Sequence, residues 1–212
     1  MSLSYFSIAY FAPIQYYWHW NQSKTVVIDG GEHYQKQSWR NRCQIATANG
    51  PLSLSIPILS NGEKSICDVQ ISDHGNWQSK HLVAIVSAYQ SSPFFEYYYD
   101  DIRELIQQKG INLFEFNRSI HEKMCAWLNI SKPYHIQTTE LQLEDATSKI
   151  NDFRASIHPK INWKETDCAF QSTPYYQVFE AKFGFLENLS ILDLLFNMGP
   201  ESILYLMDRS QS

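Results

Sequence analysis

The sequence is short of charge, of cysteine pairs and of long apolar runs, and each shortage removes a class of protein. Charged residues are 18% of the 212 positions, with 17 basic against 22 acidic side chains and a net charge of -5. That balance gives no general attraction for nucleic acid or for anionic membranes. The four cysteines, Cys43, Cys67, Cys125 and Cys168, stand far apart with no CxxC pair. This spacing argues against a disulfide scaffold or zinc ribbon and for a reduced, cytoplasmic protein. No window approaches the roughly 20 apolar residues of a membrane-spanning helix. Residues 1–14 lack the basic start and unbroken apolar core of a signal peptide, because Ser4, Ser7 and Pro13 interrupt them. Phosphate-loop, dinucleotide, nucleophile-elbow and HExxH motifs are all missing, and the seven histidines are scattered without metal-ligand spacing. Neither a metal nor a cofactor is expected.

What remains is apolar and aromatic. Hydrophobic residues make up 44% of the chain and aromatic ones 15%, ample for a packed core and incompatible with disorder. Residues 4–11, 24–29 and 134–139 read as strands of one sheet, and Leu52, Leu54, Ile56 and Ile58 alternate as a half-buried strand after the Asn49-Gly50 turn. Residues 66–71 are expected to pair with that strand, and residues 175–179 to form another. Pro13 opens a short aromatic helix. Its cluster Tyr16, Tyr17, Trp18, Trp20 lacks the basic face of an interfacial membrane anchor, which favours a partly buried helix. Helical spacing continues from Trp77 to Tyr89, over 94–109, and from Leu113 to Leu128, with further helix over 144–153 and 190–207. Residues 157–166 read as a surface loop. Strands first, then helices alternating with strands, indicate one α/β domain over residues 1–212, its sheet mainly parallel or mixed and covered by helices.

Three constellations are candidates for chemistry. In residues 32–42, Lys36, Arg40 and Arg42 bring three positive charges after the strand ending at Asp29, with Gln37 and Asn41 as directional polar partners. Arginine suits bidentate recognition of phosphate or carboxylate, and a loop at the carboxyl end of a strand is where α/β sheets bind ligands. The alternative is a set of solvated charges paired with the plentiful carboxylates. Lys80-His81 adds a proton-transfer group near neutrality, or a plain helix-surface pair. Asn188, Ser190, Asp193 and Asn197 accompany an apolar helix, either capping it and satisfying buried backbone or facing a pocket. Cys43 lies beside Arg42, but a lone cysteine without a base reads as packing.

These segments, in this order, resemble the WbqC-like family of bacterial proteins. The resemblance rests on Tyr34-Gln-Lys36-Gln-Ser38-Trp39-Arg40-Asn41-Arg42, Asn49-Gly50 with Leu54-Ser-Ile-Pro57, and Trp77 with Lys80-His81. Ala88-Tyr89 before Ser92-Pro93-Phe94-Phe95, and the stretch from Leu189 to Pro200, extend it over about residues 6–200. It implies a context of surface-polysaccharide (O-antigen type) biosynthesis. Two departures stand out: Ala9-Tyr-Phe-Ala-Pro13 replaces a His-Gln-Pro-like stretch, and Arg154-Ala-Ser-Ile-His-Pro-Lys160 replaces a Gly-rich segment. The first removes the turn histidines that nucleotidylyltransferases use on a transferring phosphate.

The expected activity is binding of an activated anionic small molecule such as a nucleotide sugar, with acyl, aminoacyl or other group transfer as its chemistry. In that reading Lys36, Arg40 and Arg42 neutralise phosphate, Asn41, Asn188 and Asn197 orient it, and His81 and Asp193 are catalytic. The alternative is a non-catalytic binding or scaffold protein of the same pathway. Residues 34–42 and 188–200 are expected to meet with His81 around one polar cleft.

Overall fold

A computed structural model describes residues 3–59, 65–138 and 150–207. In chain order the main elements are strand β1 (Leu3–Phe6), helix α1 (Ile14–Gln22), strand β2 (Thr25–Asp29) and the hairpin of β3 (Arg42–Thr47) with β4 (Gly50–Ser55). Helices α2 (Trp77–Tyr89), α3 (Phe95–Ile106) and α4 (Leu113–Trp127) follow, then strands β5 (Tyr134–Gln137) and β6 (Ile150–Asp152). Short helices α5 (Trp163–Thr166) and α6 (Glu180–Phe183) precede α7 (Ile191–Met198), which runs into a 3-10 helix over Gly199–Tyr205.

Four strands form one parallel sheet in the order β5-β2-β1-β6, so the fold is α/β. The consecutive apolar residues Val26, Val27 and Ile28 suit a central strand buried on both faces. Each such side chain contributes about 1.5–3 kcal/mol on burial. Helix α1 makes the crossover from β1 to β2, and Ile14 through Trp20 are all buried. Phe6 packs on Tyr16 and Trp20, and His121 of α4 meets Trp20 at 4.2 Å. The aromatic cluster is thus an interior one. Asn112 caps α4 by accepting from the Glu115 N–H, a local start signal. Among the described residues no helix is long and apolar enough to cross a membrane, and no group of His, Cys, Asp and Glu is placed to hold a metal ion.

Several local expectations differ from what forms. Ile66–Asp68 is a 3-10 turn, and only the Ile58–Ile71 bridge joins that region to the chain after β4. Residues 150–152, expected to end a helix, form β6 because the free edge of β1 supplies their backbone partners; residues 144–149 lie outside the described ones. Residues 175–179 form no strand: Tyr175 and Gln177 turn inward to the Asp193 carboxyl instead. The segment holding Lys36 and Arg40 is built of turns, and Gln37 has a left-handed φ of 58°.

Candidate functional site

In an open parallel sheet, ligands bind beyond the carboxyl ends of the strands, where strand order reverses. Here the reversal lies between β1 and β6, and charged side chains fill its rim. Arg40 donates to Glu32 through Nε (2.8 Å) and Nη2 (2.5 Å), and also to Ser7 Oγ at 2.6 Å. The Arg40 and Glu32 side chains are 3% and 9% exposed. Burial pushes the Glu32 carboxyl up, and the Arg40 and Ser7 hydrogen bonds oppose that. Arg154, just after β6, bridges Asp152 and Asp29. What is left of the crevice is a slot of about 10 Å³ walled by Ser7, Trp39, Arg40 and Phe153. The carboxyl edge is closed by its own ion pairs.

Beside it, sharing Trp39, lies an open cleft of about 290 Å³. Its floor is the outer face of the hairpin. Alternation along β3 buries Cys43 and Ile45 and leaves Arg42 and Gln44 on the other side, with Ser53 opposite Gln44. The outer wall is the loop carrying His158, Lys160 and Trp163, and the inner end is formed by Gln15 and Asn188. Asn188 arrives there because the approach to α7 is stitched to two earlier elements. Ser190 N–H donates to Gln44 O (2.8 Å) and Ile14 N–H to Leu189 O (2.9 Å). The Asn188 side chain accepts from the Gln15 N–H at 2.9 Å, satisfying the first turn of α1, and donates to Gln15 Oε1. Asp167 fastens the outer wall by accepting from Gln15 Nε2 (2.6 Å) and pairing with His19 Nε2 (2.5 Å). Burial would raise that carboxyl, but these bonds overcome it and hold it below its usual range.

The cleft is positive within an acidic protein. The Arg42 side chain has no hydrogen bond or ion pair among the described residues, and its Nε is buried without a partner. The Lys160 ammonium has no acidic partner among them either. The one carboxylate on the wall, Glu187, is taken by Lys164. Burial, then the charges of Arg40, Lys160 and Arg42, hold the His158 imidazole below its ordinary pKa. Cations facing a cavity without counter-charge can pair with an anion there.

Of the residues singled out from sequence, Gln37, Arg42 and Asn188 line this cleft, and Arg40 lies in the adjoining slot. Lys36 is exposed on the turn beside Gln37. Asn41 is used inside the fold, its Nδ2 donating to Ile56 O at 2.8 Å. The structure does not bring His81, Asp193 or Asn197 to the cleft. His81 is 4% exposed, its Nδ1 lies 2.9 Å from the Tyr10 hydroxyl, and burial lowers its pKa to about 4. Asp193 accepts from Tyr175 (2.6 Å) and Gln177 (2.9 Å) within the core, and burial raises its pKa to about 6. Asn197 donates to Asp193 O inside α7. Burial explains all three: His81 on α2 is spent on the Tyr10 hydroxyl, and on α7 the Asp193 carboxyl is spent on Tyr175 and Gln177 and the Asn197 amide on its own helix backbone. His158, Lys160, Gln15 and Gln44 were missed. The segment carrying His158 and Lys160 read as a surface loop, where the signal available was the His-Pro-Lys cluster that departs from the family pattern; Gln15 and Gln44 lie in α1 and β3 and carried no signal of their own.

A broader groove of about 630 Å³ runs from Glu122 to Tyr134, but its polar groups are already committed. Lys132 donates to the Trp20, Asn21 and Ser23 carbonyls at the end of α1, and the Tyr134 hydroxyl donates to Glu122. Burial pushes the Cys125 thiol up to about 12, leaving it inert.

A parallel α/β sheet with a sealed carboxyl edge and a cationic cleft on an adjoining hairpin defines the architecture. The WbqC-like protein family matches residues 9–166, three quarters of the chain, and the chain belongs to that family. The match ends before the 189–200 stretch on which part of the resemblance rests. A Mycobacterium tuberculosis (strain H37Rv) protein, described as uncharacterized protein Rv1507c, is 26% identical over 206 residues, covering 85% of this chain and 86% of its own. No solved structure matches significantly.

Proposed function

We propose that the cleft binds a small activated anion, such as a nucleotide sugar, and that the protein serves group transfer in surface-polysaccharide biosynthesis. The observation that carries the binding reading is Arg42: a guanidinium without a counter-charge among the described residues, at the wall of a cavity shared with Lys160 and His158. The polysaccharide context comes from the family resemblance. Arg42 and Lys160 neutralise the anion, the amides of Gln15 and Gln44 orient it, and Trp39 and Trp163 supply flat apolar walls. His158 replaces His81 as the ionisable group within reach of substrate.

A second reading, a non-catalytic binding protein of the same pathway, is favoured by one feature. Among the described residues the cleft walls carry no cysteine, and their one carboxylate is paired. A thermal-shift screen with nucleotide sugars, nucleotides, sugar phosphates and acyl-CoA tests both. A ligand at 100 times its Kd adds about 2.7 kcal/mol, and the shift should vanish in Arg42→Ala. No shift with any of these anions defeats the binding reading. Binding without turnover of an activated donor and an amine or hydroxyl acceptor selects the second.

A further inference from the structure

We infer that His158 acts in the cleft as a neutral hydrogen-bond donor through Nε2, placed to meet an anion oxygen, and not as a base. The inference rests on the anion-binding reading and adds the role of one residue. Lys160 N–H donates to His158 Nδ1 at 3.2 Å. An acceptor at Nδ1 means a lone pair there, so the single proton of the neutral ring sits on Nε2. The loop sequence enforces this arrangement. Pro159 has no N–H, so Lys160 supplies the first backbone donor that can reach back to the ring. With Nδ1 tied to its own loop, Nε2 is the ring nitrogen left for the cleft that His158 lines.

The surroundings keep the ring uncharged. Arg40 and Arg42 face it from the chain entering β3, and Lys160 from its own loop; Glu187, the acid on the same walls, is paired with Lys164. Burial and these cations all disfavour imidazolium. Protonation at Nδ1 would also break the Lys160 hydrogen bond. A base would need a lone pair free towards substrate, and here the ring's lone pair is held by the Lys160 N–H. The ring therefore offers an N–H beside the guanidinium and ammonium, a third donor for an anion.

Two measurements on the full chain test this. Two-bond proton–nitrogen correlation spectra at pH 7 should show the His158 ring as the Nε2–H tautomer, assigned by the signals lost in His158→Gln. An Nδ1–H tautomer or an imidazolium overturns the inference. Sulfate, which does not titrate near neutrality, serves as the anion for calorimetry. Its affinity should stay flat from pH 6.5 to 8.5, hold within a few-fold in His158→Gln, whose amide restores a donor, and fall roughly tenfold or more in His158→Leu. Affinity that rises towards low pH in wild type but not in His158→Gln overturns it. If sulfate does not bind at all, the cleft reading fails, while the spectra still decide the tautomer.

Discussion

Arg40 and Arg42 are two residues apart and meet opposite fates. Arg40 is buried against Glu32 and Ser7 at the sealed carboxyl edge of the sheet, while Arg42 stands on the hairpin face with no counter-charge among the described residues. The difference teaches that an arginine's chemistry is set by what else reaches it. Glu32 lies eight residues before Arg40 and two after Gly30, close enough for the turn to fold the carboxylate onto that guanidinium. Once that pair forms, the place where α/β sheets usually hold ligands is occupied by the protein itself. The available positive charge is then displaced to Arg42 and Lys160.

The largest effect should come from breaking the closed region. Arg40→Met leaves Glu32 buried without its cation and should cost about 3–5 kcal/mol in urea unfolding. Removing the carboxylate as well, in Arg40→Met/Glu32→Leu, should restore most of that loss; a double variant as unstable as the single one would contradict the pairing account. In the open region, Arg42→Ala should change stability by less than about 0.5 kcal/mol. It should nonetheless lose roughly 1.5–3 kcal/mol of anion affinity per charged hydrogen bond, read by calorimetry.

Asp193 sharpens the contrast, being a buried carboxyl with no cationic partner among the described residues. Its folded pKa of about 6 lies above the ordinary 3.8, so the protonated form is the one the fold favours. The stability this supplies is full below about pH 4 and is lost as pH rises through about 6. Asp193→Asn should therefore flatten the profile between these limits and gain on the order of 2 kcal/mol at pH 8, measured by chemical denaturation. The smallest effect belongs to Lys164 and Glu187, an ion pair on the cleft rim with side chains 55% and 33% exposed. Lys164→Ala should cost about 0–1 kcal/mol, less at high salt.

The sheet was readable because its strands announce themselves locally. Val26, Val27 and Ile28 are apolar in a row and bounded by Gly30-Gly31, and Asn112 caps α4 through its own neighbours. Strand β6 was not readable, since three residues, Ile150, Asn151 and Asp152, carry no period and become a strand only where β1 offers an edge. The site was readable by half. The charge run around Arg42 and the unusual Asn188 were visible in sequence, and their meeting depends on Ser190 pairing with Gln44 across the chain. His81, Asp193 and Asn197 lie away from the cleft, and residue type does not reveal whether a polar side chain turns to a cleft or to another buried polar group. His158 and Lys160 sat in a stretch with no periodicity to place it.

The hydrogen bond from the Gln15 N–H to Asn188 joins residues 173 positions apart, and this separation gives the protein a timetable. At translation speeds of about 5–20 residues per second, the start of α1 waits roughly 10–35 s for the side chain that completes it. During that interval β1 also lacks β6, and the floor of the cleft exists before its inner end. A nascent chain stalled before Asn188 would hold a hairpin with Arg42 on it and no finished pocket.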